Sequence, residues 1–261
     1  MLMGIINITP DSFYDGGKIN NIDTAITQIN SFVEQEVDII DLGGYSSRPG
    51  AKNISIKEEE KRIIPIIEKA IELYPKVVFS IDTFRHQIAK KAIELGVSII
   101  NDIYFNYGTK EMTELLTKNN VSYILMHMRG KPSTMQKKIY YKDFYHEILL
   151  FFEKQINMLN KKGIENIILD PGFGFGKTLN QNYQLINMIP KIKEFGYPVL
   201  CGISRKSMIS KVLNTSPNKS LTGTIAANTI CLMKGANIIR VHDTIEAKET
   251  IDIVKMTQSN L

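Results

Sequence analysis

The chain has 261 residues, of which 43% are hydrophobic and 23% are charged, and its formal net charge is +5. These are ordinary values for a soluble chain long enough to bury one large core. No run of like charges predicts a nucleic-acid-binding tail, and no apolar stretch is long enough to cross a bilayer. We therefore expect neither nucleic acid nor membrane as a partner. The mildly basic balance favours an anionic small substrate, although solvated, lysine-rich helix surfaces are the simpler explanation.

Eight short apolar, β-prone runs alternate with segments of helical periodicity. They are nearly continuous in hydrophobicity, which is typical of buried parallel strands. One intervening segment has apolar residues at helical spacing, namely Ile63, Ile66, Ile67 and Ala70. The predicted strands are approximately Met3–Asn7, Val37–Leu42, Val77–Asp82, Ser98–Asp102, Ser122–His127, Ile167–Asp170, Pro198–Gly202 and Ile238–His242.

This alternation predicts an α/β fold, a single (β/α)8 TIM barrel of eight parallel strands that forms one domain over residues 1–261. A doubly wound open sheet is the main alternative, and eight units at this spacing favour closure. The longest connections, Ile8–Asn21 and Gly43–Lys57, follow the first two strands. Loops of that length on a compact barrel are more often functional than idle.

Each predicted strand has, at or within two residues of its carboxyl end, a polar residue that could take part in chemistry. A closed parallel barrel would bring all eight endings to one rim, around a single pocket. Five of the six arginines also lie at or just beyond a strand end, whereas the lysines are scattered over the helices. The eight endings are Asn7, Asp41, Asp82, Asn101, His127, Asp170, Ser204 and His242.

Carboxylates beside a lysine and an amide suit the recognition of a heterocycle. At the predicted rim, Asp82 and Asp170 could each accept N–H bonds, while Asn101 and Lys206 could donate to a carbonyl or ring nitrogen. Salt bridges across the barrel mouth are the structural alternative for any one of them. Asp41 has no clear role on this basis.

Two further groups at the rim predict contacts to anions. Arg240 and His242 alternate along the last strand and point to the same side, near Asn7 on the adjacent first strand, which favours a phosphate site. After the seventh strand, Ser207 and nearby backbone N–H groups could hold a carboxylate, or Ser207 could simply cap a helix.

The glycine-rich segment Asp170–Thr178 is neither a P-loop nor a dinucleotide fingerprint, because its glycine spacing fits neither motif. We expect its glycines to let the backbone and Phe175 approach a flat ligand. The role of His127 stays open, and with four histidines in the chain a multi-histidine metal site is not expected. The two cysteines, Cys201 and Cys231, lie in apolar segments and are predicted to be buried free thiols. With no signal peptide visible, we expect a cytoplasmic location.

Taken together and in order, eight motifs make the chain resemble the dihydropteroate synthase family. The resemblance covers nearly the whole chain, and the combination is specific although the shorter motifs are not. The motifs are GIINITPDSFYDGG (4–17), DLGGYSSRPGA (41–51), SIDT (80–83), IND (100–102), ILMHMRGKPSTMQ (124–136), ILDPGFGFGKT (168–178), SRKS (204–207) and RVHD (240–243).

The resemblance implies a transferase that joins 6-hydroxymethyl-7,8-dihydropterin diphosphate to 4-aminobenzoate in folate synthesis, and a target of sulfonamides. It implies catalytic roles for Asp82 and Lys206, a magnesium ion held by Asn7 and the phosphate oxygens, and a homodimer formed through outer helices. The implied pterin contacts are Asp82, Asn101, Met126, Asp170, Phe175 and Lys206. The implied diphosphate contacts are Asn7, Arg240 and His242. The implied aminobenzoate contacts are Ser47, Arg48, Pro49, Lys206 and Ser207.

The chain departs from the family pattern at several positions: Tyr14 replaces Ser, Tyr45 replaces Glu, Ser47 replaces Thr, and Tyr104-Phe105 replaces a small Ser-Gly pair. These changes put catalytic efficiency and sulfonamide sensitivity in question. Three other functions stay open at this point: a pterin-dependent methyltransferase domain, a Schiff-base lyase with Lys206 as nucleophile, and a non-catalytic pterin-binding paralogue.

Overall fold

The computed structural model describes residues 1–8, 21–45, 54–104, 110–130, 134–137 and 139–259. The predicted strands are confirmed, with ends that differ from the prediction by one or two residues. The seventh is the shortest, because only Leu200 and Cys201 keep strand pairing. The strands are β1 (Leu2–Asn7), β2 (Ile39–Gly43), β3 (Val78–Asp82), β4 (Ile99–Asp102), β5 (Ser122–Met126), β6 (Ile167–Asp170), β7 (Leu200–Cys201) and β8 (Ile238–Val241).

Helices follow the strands in alternation, and a short helix (Ser207–Val212) and a 3₁₀ turn (Pro217–Lys219) lie between the seventh strand and its main helix (Leu221–Met233). The predicted apolar side of the second helix is confirmed, because Ile63, Ile66, Ile67 and Ala70 are all fully buried. The helices are α1 (Asn21–Glu34), α2 (Ile56–Leu73), α3 (His86–Leu95), α4 (Lys110–Lys118), α5 (Phe144–Asn160), α6 (Leu179–Lys193), α7 (Ser207–Val212), α8 (Leu221–Met233) and α9 (Thr244–Gln258).

All strand pairs are parallel, and the sheet order is β6-β5-β4-β3-β2-β1-β8-β7. A parallel bridge between Leu169 and Val199 joins the two remaining edges, and the Leu169 N–H donates to the Pro198 carbonyl at 2.8 Å. The sheet is therefore a (β/α)8 barrel, as predicted, and the open-sheet alternative is wrong.

The core has two parts, one between strands and helices and one inside the barrel. The inner part is a ring of apolar side chains that fills the lower barrel: Met3, Ile39, Ile99, Ile124, Ile168, Leu200 and Ile238. Because side chains alternate along a strand, residues two positions further on point inward one level higher. That level carries the polar side chains of Asp41, Asn101, Asp170 and Arg240. Among the described residues, no helix has the length and apolar composition to span a membrane.

Candidate active site

Strand alternation places the predicted site residues above the apolar ring. Asp41 follows Ile39 by two positions, as Asn101 follows Ile99, and the same step separates Ile168 from Asp170. The barrel thus brings these polar side chains inward at one end, supported by the apolar layer below. The residues on the inward positions are Asn7, Asp41, Asp82, Asn101, Met126, Asp170, Arg240 and His242.

Arg240 lies between two carboxylates inside the barrel mouth. Its Nη2 donates to Asp82 Oδ2 at 2.8 Å, and its Nε donates to Asp41 Oδ2 at 2.7 Å. The Arg240 side chain is 18% exposed, Asp82 9% and Asp41 0%, so the three charges are largely withdrawn from water. Salt bridging across the mouth, the structural alternative for these residues, is therefore present, and it organises the site.

The environment of Asp82 alters its acidity. Burial raises the pKa of Asp82 to about 7, the Arg240 guanidinium opposes that rise, and the negative charges of Asp41, Glu59 and Asp102 add to it. A carboxyl group with a pKa near neutrality can change its protonation when a ligand arrives, which is typical of functional sites.

Asp170 and Lys206 form the opposite side of the mouth. Asp170 Oδ1 accepts a hydrogen bond from the Gly172 N–H at 2.7 Å, and Lys206 Nζ donates to the Phe173 carbonyl at 2.5 Å. The Lys206 ammonium also lies 4.7 Å from the centroid of the Phe175 ring. Burial and the nearby Arg240 lower the pKa of Lys206 to about 8, while Asp170 and Asp82 oppose that shift.

A constrained turn presents Lys206. The preceding residue, Arg205, has a left-handed backbone (φ 54°), and its guanidinium binds Asp243 through both carboxylate oxygens. On the neighbouring strand ends, Ser204 Oγ lies 3.1 Å from His242 Nδ1. Ser207 is exposed at the first position of α7. The turn is thus tied to β8, which carries the predicted anion-binding residues.

Asn7 completes the anion side of the mouth. A Cβ added at Gly43 would lie 3.4 Å from Asn7 Oδ1 and 3.5 Å from Asp82 Cβ. The absence of a side chain at Gly43 therefore leaves the space between Asn7 and Asp82 open.

Several predicted site residues lie outside the described part of the chain. They are Ser47, Arg48 and Pro49, for which an aminobenzoate role was predicted, together with Tyr14 and Phe105. The same applies to most of the two long connections after β1 and β2.

Two of the departures from the family pattern contact the same residue. The rings of Tyr45 and Tyr104, which follow β2 and β4, each meet the ring of Phe84 edge to face, with centroid distances of 5.3 and 6.1 Å. The Arg85 guanidinium lies 5.4 Å from the ring centroids of both Tyr45 and Phe84. The bulky substitutions thus form one aromatic cluster at the rim, supported by a cation.

Two glycines after β6 pack closely against the backbone after β5. Gly172 and Gly176 have positive φ, and a Cβ on them would lie 1.9 Å from the His127 carbonyl oxygen and 2.4 Å from the Arg129 carbonyl oxygen. They allow this close approach of the two loops, and the approach of Phe175 to a flat ligand stays a prediction. For Gly174, an added Cβ would lie 3.4 Å from the Lys206 side chain.

Lys177 takes part in this packing, a role not predicted from the sequence. Its Nζ is buried and donates to the carbonyl oxygens of His127, Gly172 and Phe175 at 3.1, 2.9 and 3.0 Å. Burial lowers the pKa of Lys177, whereas three carbonyl acceptors favour an ammonium with three N–H groups. The only sequence signal was a lysine inside an otherwise glycine-rich and apolar loop.

Within the described ranges, His127, Arg85 and Arg129 make structural contacts. The His127 ring is buried against Phe151 at a centroid distance of 4.8 Å, and burial holds its pKa well below the usual value. Arg85 pairs with Glu59 and Arg129 pairs with Glu147. An arginine near a strand end therefore does not by itself indicate a pocket residue. Of the arginines in the described ranges, Arg240 is the one whose side chain enters the barrel mouth.

Comparison with known proteins identifies the family. The family model of pterin-binding enzymes matches residues 3–242. The Escherichia coli dihydropteroate synthase is 40% identical over 260 residues, which are 99% of this chain and 92% of that protein.

Two solved structures have the same fold over nearly their full lengths. A Yersinia pestis dihydropteroate synthase with a sulfonamide drug superposes with a TM-score of 0.92 at 40% identity, covering 99% of this chain and 94% of that one. A Clostridium difficile dihydropteroate synthase crystallised in the presence of pteroic acid has a TM-score of 0.90 at 39% identity, covering 98% and 95%. With Asp82, Asn101, Asp170, Lys206 and Arg240 gathered at one barrel mouth, the chain belongs to the dihydropteroate synthase family of pterin-binding enzymes.

Proposed function

We propose that this protein condenses 6-hydroxymethyl-7,8-dihydropterin diphosphate with 4-aminobenzoate, giving 7,8-dihydropteroate and diphosphate for folate synthesis. One observation carries the proposal: two carboxylates, an amide, a lysine and an arginine converge at the barrel mouth of a chain that matches this family along nearly its whole length. The related protein with a bound sulfonamide supports sulfonamides as competitors here as well.

The pterin would occupy the buried part of the mouth. Asp82 and Asp170 would accept its N–H groups, and Lys206 would donate to its ring acceptors, because these groups offer complementary hydrogen bonds side by side. Met126 is buried two residues above Ile124 of the inner ring, and Phe175 is half-buried beside Lys206. Both can pack against the flat ring system.

The diphosphate would lie toward Asn7, Arg240 and His242. The guanidinium fork suits phosphate oxygens, and His242 is exposed at the end of β8. Among the described residues, no cluster of three or more His, Cys, Asp or Glu side chains could hold a metal by itself. A half-buried amide oxygen on Asn7 fits Mg²⁺, which takes few protein ligands when substrate phosphates and water complete its shell. When bound, Mg²⁺ would neutralise part of the charge on the diphosphate.

The chemical step is a substitution at the methylene carbon of the pterin. The bond between that carbon and the diphosphate oxygen breaks, and the electron pair leaves with the diphosphate. The aromatic amine then forms the new carbon–nitrogen bond and releases a proton. Ionised Asp82 would stabilise the positive charge that develops on the conjugated pterin methylene, without a covalent enzyme intermediate.

The aminobenzoate would approach from the open side, where Lys206 and the exposed Ser207 begin α7. Contacts from Ser47, Arg48 and Pro49 belong to this part of the proposal on the family resemblance alone. Ser47 keeps the hydroxyl of the usual threonine and lacks its methyl group, so a looser aminobenzoate site is expected.

We also propose a homodimer that forms through outer helices. Large apolar side chains are exposed on the adjacent helices α8 and α9, and such a surface supports association of two copies. Light scattering after size exclusion gives the mass directly, and Ile253→Glu should favour the monomer. The exposed apolar residues of α8 and α9 are Ile230, Met233, Ile245, Ile253 and Met256.

Free, buried Cys201 and Cys231 support a reducing, cytoplasmic location.

The deciding experiment is turnover with the pterin diphosphate and 4-aminobenzoate, with and without Mg²⁺, followed by diphosphate release and by product mass. We expect product in the presence of Mg²⁺ and a large loss of rate on its removal. Calorimetric binding of the pterin diphosphate without any product would instead indicate a non-catalytic paralogue. Trapping of Lys206 by borohydride with a carbonyl substrate would indicate a Schiff-base lyase.

A further inference from the structure

One carboxylate oxygen of Asp41 accepts hydrogen bonds from two of the proposed substrate-binding residues. Its Oδ2 accepts from Asn101 Nδ2 at 2.9 Å and from Arg240 Nε at 2.7 Å, and Arg240 Nη2 lies 2.5 Å away. Asp41 itself is fully buried, and its Oδ1 has no hydrogen-bond partner among the described residues. Asp41 is therefore placed behind the pocket wall, in contact with groups that face the pocket.

The bond to Asn101 determines how that amide is oriented. A carboxylate can only accept hydrogen bonds, so the NH₂ group of Asn101 must face Asp41. The Asn101 carbonyl oxygen is then turned away from Asp41 and is left to accept from a donor on the ligand. Without the carboxylate, the amide could flip and present its NH₂ group instead, which would meet an N–H edge of a pterin with the wrong polarity.

The bonds to Arg240 determine where its guanidinium lies. Arginine has a long, flexible side chain, and holding it in place before the substrate arrives avoids an entropic loss on binding. Asp82 contacts the same guanidinium through a single nitrogen, Nη2, whereas Asp41 contacts both Nε and Nη2. Asp41 is thus the main anchor, and Asp82 can exchange its bond for one to the substrate while Arg240 stays in place.

We propose that Asp41 is a positioning residue for this reaction, which orients the Asn101 amide toward the pterin and anchors Arg240 for the diphosphate. This inference rests on the proposed function, because it presumes that Asn101 and Arg240 meet those parts of the substrate.

Asp41→Asn is the sharpest variant for testing the proposal. It keeps the shape and one accepting oxygen, removes the charge, and allows the amide of Asn101 to reorient. Asp102→Asn is the matched control, because Asp102 is also a buried strand-end carboxylate, bonded to Tyr123 Oη at 2.8 Å and to the Tyr104 N–H at 2.9 Å. We expect Asp41→Asn to raise KM for the pterin diphosphate about tenfold or more, with less than about a threefold change in KM for 4-aminobenzoate. Asp102→Asn should leave the KM for the pterin diphosphate within about threefold of the wild-type value.

Calorimetric titration with two fragments of the substrate tests the two proposed contacts separately. Asp41→Asn should weaken the binding of 6-hydroxymethyl-7,8-dihydropterin, which depends on Asn101, and the binding of inorganic diphosphate, which depends on Arg240. Wild-type affinity for both ligands in a folded Asp41→Asn protein would overturn the proposal. Equal losses for Asp41→Asn and Asp102→Asn would do so too, since they would reflect a general effect of neutralising a buried carboxylate.

A double variant tests the ion pair without leaving one charge buried alone. Neutralising only Asp41 would leave Arg240 buried without its main partner, which is more disruptive than neutralising both residues. In the Arg240→Met background, Asp41→Asn should cause no further loss of diphosphate affinity, and additive losses would contradict anchoring through Arg240. Wild-type turnover is measured alongside. If the wild-type protein makes no dihydropteroate, the proposed function fails; if it does and Asp41→Asn is unaffected, the positioning role alone fails.

Discussion

The guanidinium of Arg240 lies 2.8 Å from the carboxylate of Asp82, across the mouth of the barrel from β8 to β3. The pair places the Asp82 carboxylate beside the position proposed for the reacting methylene. The pKa of Asp82 is raised to about 7, since burial opposes its ionisation more strongly than Arg240 favours it. The charge of Asp82 is therefore the first feature of the proposed mechanism to test.

Replacing Asp82 with asparagine removes that charge and keeps the shape of the side chain. We expect kcat to fall by about 10²–10³, the usual effect of deleting one electrostatic stabiliser. A coupled assay of diphosphate release measures it. Asp38→Asn serves as the control, because Asp38 accepts from the Leu2 N–H at the opposite end of the barrel. Near-native turnover by the Asp82 variant would remove this residue from the mechanism.

The pH profile should have two limbs. Below a pH of about 7, Asp82 takes up a proton and loses the charge that stabilises the cation. Above a pH of about 8, Lys206 loses its proton and with it the positive charge and one hydrogen-bond donor. We therefore expect kcat/KM to rise through the first value and to fall through the second. Lys206→Arg should shift the alkaline limb upward, and a profile that is flat from about pH 6 to pH 9 would contradict both assignments.

Gly172 and Gly163 form a matched pair for testing close packing after β6. Both have positive φ, 71° and 75°, but an added Cβ would lie 1.9 Å from the His127 carbonyl oxygen at Gly172 and would meet nothing within 4 Å at Gly163. We expect Gly163→Ala to cost about 1–2 kcal/mol through backbone strain alone. Gly172→Ala should cost a further ~1–3 kcal/mol through overlap. Urea unfolding measures both, and equal losses would show that the two loops separate easily.

Lys177 should stabilise the fold, because its buried ammonium joins the loop after β6 to the segment after β5. Lys177→Met removes three hydrogen bonds and leaves three carbonyl oxygens without that donor. We expect the free energy of unfolding to fall by about 3 kcal/mol. The exposed Lys154→Met should change it by less than about 0.5 kcal/mol. A loss no larger than that of the Lys154 control, in denaturant titrations of both proteins, would mean that water replaces the ammonium without cost.

Much of this site could be predicted from the sequence because of two regular features. Strand alternation and the common rim of a parallel barrel are enough to predict that Asp82, Asn101, Asp170 and Arg240 lie together. Pairing between particular side chains was not predictable in the same way. Lys177 donates to the His127 carbonyl because Gly172 and Gly176 let two loops approach closely, and the sequence around Lys177 does not show which carbonyl that approach supplies.

By itself, the sequence determined the eight alternating units and the family, since hydrophobic periodicity and motif order are local or linear properties. It favoured a closed barrel, and the bridge between Leu169 and Val199 decided the closure. Only the tertiary structure decided what Asp41 and His127 do. Asp41 lies inside β2 on an inward position and holds Asn101 and Arg240, whereas His127 follows β5 and its ring packs against Phe151. The difference arises because a side chain acts through its neighbours in space, and these come from strands and helices far apart along the chain.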